Sequence, residues 1–232
     1  MRERVLHEGA PPERVAVIPN WTDDEDIQPL PVEQCRLRRA WGLSGDDFVV
    51  GYSGNLGRAH EIETLLAAAR LLRDRTDIRF LFIGSGHYSE GLGKAAEAEG
   101  LTAFLFKPYQ PKERLSQALA VANVHWVSLR PEMEGLVLPS KVYGIAAAAR
   151  PMITVTDLDS ELASLVRSHG CGVAIAPGDG EGLARAITTL AADRSACARM
   201  GDQARAMMTA RFTRAASLGR WEELLTALAH RP

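Results

Sequence analysis

FVVGYSGNLGRAHEIETLLAAARLLRDRTDIRFLFIGSG, residues 48–86, decides the fold. It opens on a run of β-branched and aromatic residues, FVVGYS (48–53), and closes on another, RFLFIG (79–84). Both are short and almost wholly apolar, the pattern of a strand covered on both faces. Between them Ile62, Leu65, Leu66, Ala69 and Leu72 recur at helical spacing and leave Glu63, Arg70 and Arg73 for solvent. Strand, helix, strand in that order is a βαβ unit with parallel strands.

The same alternation extends outward. VAVI (15–18), TAFLF (102–106), VHWVSL (124–129), PMITV (151–155) and GVAIA (172–176) read as further strands, with helical patterns between most of them. The prediction is an α/β fold: a Rossmann-like, mainly parallel sheet sandwiched between helices, with ligands at the carboxyl ends of the strands. After Pro177 the strand signal stops and helices follow, ending in FTRAASLGRWEELLTALAH (212–230). Residues 1–30 differ in kind: a short amphipathic helix, a Pro-rich turn, one strand and a Pro-punctuated link. They read as the end of a preceding domain and its connector. The expected division is 1–30, a Rossmann-like domain over 31–210, and a C-terminal helix over 211–232.

Bulk properties exclude several function classes. A formal charge of −2 over 232 residues is wrong for a nucleic-acid or anionic-lipid surface, so any anion site is local. The three cysteines, Cys35, Cys171 and Cys197, are widely spaced and not clustered with histidine, which fits a reducing compartment and no metal. The longest apolar stretch, Val142 to Val155, is broken by Arg150 and Pro151 and falls short of the roughly 18–20 residues of a membrane span. Met1 is followed by Arg2, Glu3 and Arg4 rather than the apolar core of a secretion signal. The expectation is a cytoplasmic protein with at most peripheral association at the inner membrane face.

Four loops that follow strands carry chemistry. In YSGNLGRAHE (52–61), Gly54 and Gly57 allow a tight turn with exposed amides, Asn55 lies between them, and Arg58 is a forked donor suited to phosphate. Such turns also arise for purely geometric reasons. His60 reads as a plain surface residue. In FIGSGHYSEGL (82–92), Gly84 and Gly86 form a GxG whose third glycine is replaced by Ser89, and no acidic residue ends the next strand, so a nicotinamide cofactor is disfavoured. In KPYQPKERL (107–115), Tyr109 and the backbone around Pro108 either frame a flat base or simply pack, and Lys107 opens the same loop as a candidate substrate contact.

The fourth loop, SLRPEMEGLVLPSKVYGIAAAARP (128–151), is the most informative. Pro139 and Ser140 open a helix and put Lys141 in its first turn, where a cation opposes the helix dipole unless an anion lies between. Glu134 precedes Gly135, Leu136 and Val137, a stretch of exposed backbone: carboxylate and amides together suit a sugar, and a solvated loop glutamate is the alternative. Glu132 and Glu134 have nothing evident to separate their pKa values as acid and base.

At these residues the chain resembles glycosyltransferase family four of the GT-B fold, in particular the bacterial branch that builds exopolysaccharide and lipopolysaccharide from nucleotide sugars. The matches run in order through IPNWTD (18–23), YSGNLGRAHE, FIGSG, EGLVLPSKVYGIAAAARP, DLDSELASLV with GCGVAIAPGD (157–179), and Phe212 and Trp221. The resemblance implies the C-terminal, donor-binding half of a retaining hexosyltransferase. Arg58 and Lys141 would then neutralise the diphosphate, Glu134 with Gly135, Leu136 and Val137 would hold the sugar, and base and ribose would lie near 84–86 and 107–110. The donor is expected to be a nucleotide-diphosphate sugar with uridine as base, no metal or other cofactor is implied, and the acceptor, a glycan or lipid-linked sugar, would sit on an N-terminal domain. Without that domain the chain is expected to be inactive.

Three positions depart from the family pattern. The second glutamate, eight residues after the first, is Val142; in the related spacing it is Gly144; and the glycine before Arg150 is Ala149. Ribose contact would then fall to Ser140 or Glu161. Two other readings stay open: a nucleotide-sugar-binding module without transfer, and a nucleotide-sugar epimerase of similar architecture.

Overall fold

The computed structural model describes residues 1–23 and 25–230. In chain order the elements are α1 (Arg2–His7), α2 (Arg36–Ala40), β1 (Phe48–Asn55), α3 (Glu63–Leu71), β2 (Ile78–Ser85), α4 (Ser89–Ala98), β3 (Phe104–Lys107), α5 (Leu115–Ala120), β4 (Val124–Ser128), α6 (Lys141–Ala147), β5 (Met152–Val155), α7 (Glu161–Ser168), β6 (Gly172–Ile175), α8 (Gly180–Ala192), α9 (Arg194–Arg211) and α10 (Arg214–Ala229). The six strands form one parallel sheet in the order β3-β2-β1-β4-β5-β6. This is the expected Rossmann-like sandwich, and its topological switch point lies between β1 and β4.

Period-2 alternation assigns the strand residues to the two faces. Phe48, Val50, Tyr52, Phe80, Phe82, Val124 and Trp126 share one core with Leu65 and Leu66 of α3, Leu92 of α4 and Leu183 and Ile187 of α8. Their neighbours Val49, Leu81 and Ile83 face α2 and α5, while Val127 and Met152 face α6, α7 and α9. In α3 the five apolar positions named from the sequence are buried or half-buried, and Glu63, Arg70 and Arg73 are exposed.

β1 and β4 pair only at Val50–Val124 and Gly51–His125, then diverge, although β1 runs on to Asn55 and β4 to Ser128. Gly51 is required where they touch, since a Cβ there would stand 2.5 Å from the Ala122 Cβ. Beyond Gly51 the parting strands open the crevice that positions the site.

One strand expectation fails. Val15–Ile18 belongs to no sheet; Val17 is 57% exposed, and Pro11, Pro12 and Pro19 flank the segment. Its β-branched composition satisfies local propensity, but it lacks the partner that would complete a ladder. The connector is anchored instead to the chain's end: Thr22 bridges Thr213, and the Ser217 hydroxyl donates to the Pro19 carbonyl at 3.0 Å.

Candidate functional site

The loops singled out from the sequence converge at the carboxyl ends of β1, β2 and β4. Gly54 pairs with Gly84 and Asn55 with Ser85. Gly54, Gly84 and Gly86 have φ of +130°, +125° and +147°, outside the range of L-residues. Contact demands glycine as well. A Cβ on Gly84 would lie 2.3 Å from the Gly54 carbonyl oxygen and 3.0 Å from the Tyr109 ring, and one on Gly86 2.5 Å from the Leu56 nitrogen. Two backbone turns are thus pressed together, with Tyr109, 55% exposed, beside them.

Lys141 lies across this junction. Ser140 is the N-cap of α6, so Lys141 is its first residue, as the sequence predicts. A Cβ on Gly54 would stand 2.9 Å from Lys141 Cε, and the ammonium lies 5.0 Å from the centroid of the Tyr52 ring. Among the described residues Lys141 has no ion-pair partner, and burial lowers its pKa. A half-buried cation resting on an aromatic face and a glycine backbone is poised for an anion. Arg58 is exposed in the neighbouring turn, and the backbone N–H groups of Gly57 and Arg58 find no acceptor among the described residues.

His60 corrects the sequence reading: it is 7% exposed, not a surface residue. Its Nε2 lies 3.0 Å from the Tyr52 hydroxyl, and its Nδ1 3.1 Å from the Ser128 carbonyl and 3.3 Å from the Ser128 hydroxyl. Burial, and secondarily the charge on Lys141, pushes its pKa down to about 4. The ring bridges β1 and β4 where the sheet splits, which is topology that a linear sequence does not display.

Glu134 is half-buried after a 3-10 turn at Pro131–Met133. Its Oε1 accepts from the hydroxyl of Thr156, a fully buried residue at the end of β5 that sequence reasoning missed; Ser160 Oγ lies 3.3 Å further on. Gly135 takes φ +72°. The Leu136 and Val137 amides donate to the Met133 carbonyl at 3.1 and 3.2 Å, so in this conformation they are engaged within the loop.

Two other expected residues have partners of their own. The Lys107 ammonium sits 5.8 Å from the Trp41 ring centroid. Glu161, in the first turn of α7, is exposed and lies 3.7 Å from the Met1 amine. Val142, where the family's second glutamate would fall, is fully buried beside α9, so this face of α6 presents no carboxylate to the crevice.

The sequence profile of the family described as "Glycosyl transferases group 1" matches residues 33–207. The chain belongs to that family. Among curated relatives it is 29% identical over 176 residues to a probable glycosyltransferase, WbjE, of Pseudomonas aeruginosa, covering 76% of this chain and 44% of that protein. It is also 29% identical over 189 residues to the putative colanic acid biosynthesis glycosyltransferase WcaI of Escherichia coli, covering 81% and 46%. The group 1 chain thus spans about half the length of the curated relatives it matches. Among solved structures it superposes on Anabaena Alr3699/HepE, determined in complex with UDP and glucose, with a TM-score of 0.80 at 21% identity, covering 97% of this chain and 60% of that one. These relatives bear out the glycosyltransferase resemblance and its bacterial polysaccharide branch, and the GT-B architecture with it. Among the described residues no helix is long and apolar enough to cross a membrane.

Proposed function

We propose that this chain is the donor-binding half of a retaining glycosyltransferase that moves a hexose from a nucleoside diphosphate to a glycan or lipid-linked acceptor. One observation carries the reading: Lys141, a half-buried cation without an ion-pair partner among the described residues, lies against Gly54, in the turn where the Gly57 and Arg58 amides find no acceptor among those residues. In the reading Lys141 and Arg58 neutralise the diphosphate, and most strongly as it departs and gains charge, which is an electrostatic route to a lower barrier. Glu134, oriented by Thr156, accepts from donor-sugar hydroxyls. Gly84 and Gly86 bring the backbone close to the nucleoside, which Tyr109 flanks, and Ser140 serves the ribose. HepE, a neighbour solved with UDP and glucose, supports uridine as the base.

No cofactor is assigned, and a cytoplasmic setting is inferred. The acceptor would come from a second domain, toward which α10 and the residue 1–30 connector, bridged at Thr22 and Thr213, would face. The alternative of a binding module without transfer is favoured by one observation, the buried Val142 in place of a ribose carboxylate. The nicotinamide reading loses further ground because the GxG follows β2, whereas a dinucleotide fingerprint follows the first strand. Calorimetry with UDP, UDP-glucose and NAD tests the proposal: UDP and UDP-glucose should bind and NAD should not. Binding of NAD alone would overturn it.

A further inference from the structure

Hydrogen-bond inventory around Tyr52 fixes more than packing. The Tyr52 hydroxyl has one proton and two neighbours, the Asn55 carbonyl at 2.5 Å and His60 Nε2 at 3.0 Å. On the other side of the ring Nδ1 lies 3.1 Å from the Ser128 carbonyl and 3.3 Å from the Ser128 hydroxyl, and that hydroxyl accepts from the Glu61 amide at 3.1 Å. A continuous chain of polar contacts therefore runs from Glu61 N–H through Ser128, His60 and Tyr52 to the Asn55 carbonyl. The chain crosses the split between β4 and β1 and ends in the turn that abuts Lys141.

We infer that His60 is a positioning residue of the phosphate site: engaged on both ring nitrogens, it fixes the Tyr52 hydroxyl and ring, and through them the Asn55 peptide and the Lys141 ammonium. This rests on the diphosphate reading above. Burial keeps the imidazole neutral at neutral pH, with its pKa pushed down to about 4. The Tyr52 ring is also held edge-on to His60, with centroids 5.3 Å apart, and so offers its face to the lysine.

Two measurements test the inference. Both read UDP and uridine affinity by calorimetry, one across single variants and one in the double variant. Calorimetry should find UDP binding about tenfold weaker in His60→Leu and in Tyr52→Phe, the effect of one buried link, with uridine affinity unchanged. His60→Gln, whose carboxamide supplies both a donor and an acceptor, should stay within about threefold of the parent. The double variant His60→Leu/Tyr52→Phe should bind as each single variant does, because both break one chain. Parent-like UDP binding by His60→Leu, or additive losses, would overturn the inference alone. Failure of the parent to bind UDP would instead sink the diphosphate reading beneath it. If His60→Leu does not fold, the Tyr52→Phe and His60→Gln results decide.

Discussion

This protein should lose stability steadily as pH falls below about 6.5, because two histidines are buried neutral. His125 is 1% exposed; its Nε2 donates to the Leu119 carbonyl at 2.9 Å, and its Nδ1 has no partner. Protonation there would create a buried donor with nothing to accept from it, and burial pushes the pKa down to about 4. His60 is pushed down to about 4 as well, again mainly by burial. Both folded values lie below the unfolded value of roughly 6.5, so the unfolded chain binds more protons and stability falls as pH falls between these limits. At about 1.4 kcal/mol per pKa unit, each histidine removes roughly 3 kcal/mol between pH 6.5 and 4. Together they remove about 6 kcal/mol, comparable to the whole stability of an ordinary domain, roughly 5–15 kcal/mol. Urea unfolding followed by circular dichroism at several pH values should show stability dropping by up to roughly 3 kcal/mol per pH unit, with cooperativity retained. His125→Leu should halve that slope whatever it does to absolute stability. A flat profile from pH 7 to 4.5 would refute the reasoning.

Other outcomes follow from named contacts. Gly84→Ala must put a Cβ 2.3 Å from the Gly54 oxygen at φ +125°, so it should cost about 2 kcal/mol or more in urea unfolding and abolish UDP binding by calorimetry; a parent-like result in both would contradict the backbone packing. Thr156→Val should leave UDP affinity unchanged but erase the extra affinity for UDP-glucose over UDP, since its hydroxyl touches Glu134 and Ser160 and neither phosphate-site cation; equal loss for both ligands would contradict that role. Arg58→Ala should weaken UDP binding less than Lys141→Ala, because Arg58 is exposed and solvent screens its charge; the reverse order in calorimetry would contradict the weighting.

Much of this was legible in the chain itself. Period-2 and helical spacing fixed β1, α3 and β2 because those elements are buried in the way their apolar residues demand, and Ser140 signalled the start of α6 that places Lys141. Val15–Ile18 misled because propensity is local and a strand needs a neighbour. His60 misled for a related reason: its partners Tyr52 and Ser128 lie on strands that only the 3-2-1-4-5-6 order brings together. Thr156 was unreadable, since a hydroxyl at a strand end acquires meaning only from the Glu134 loop folding back over it. Lys107 closes β3, and its amine lies over the Trp41 ring, a contact no spacing rule anticipates.

The central claim is that Lys141 and the glycine turns form a diphosphate site, and the most direct test is the ratio of UDP to uridine affinity in the parent and in Lys141→Met. The ratio should be at least about a hundredfold in the parent, or roughly 2.7 kcal/mol carried by the phosphates, and should fall about tenfold or more in the variant while uridine binding is unchanged. A parent that binds uridine as tightly as UDP, or a Lys141→Met variant with the parent's ratio, would contradict the account.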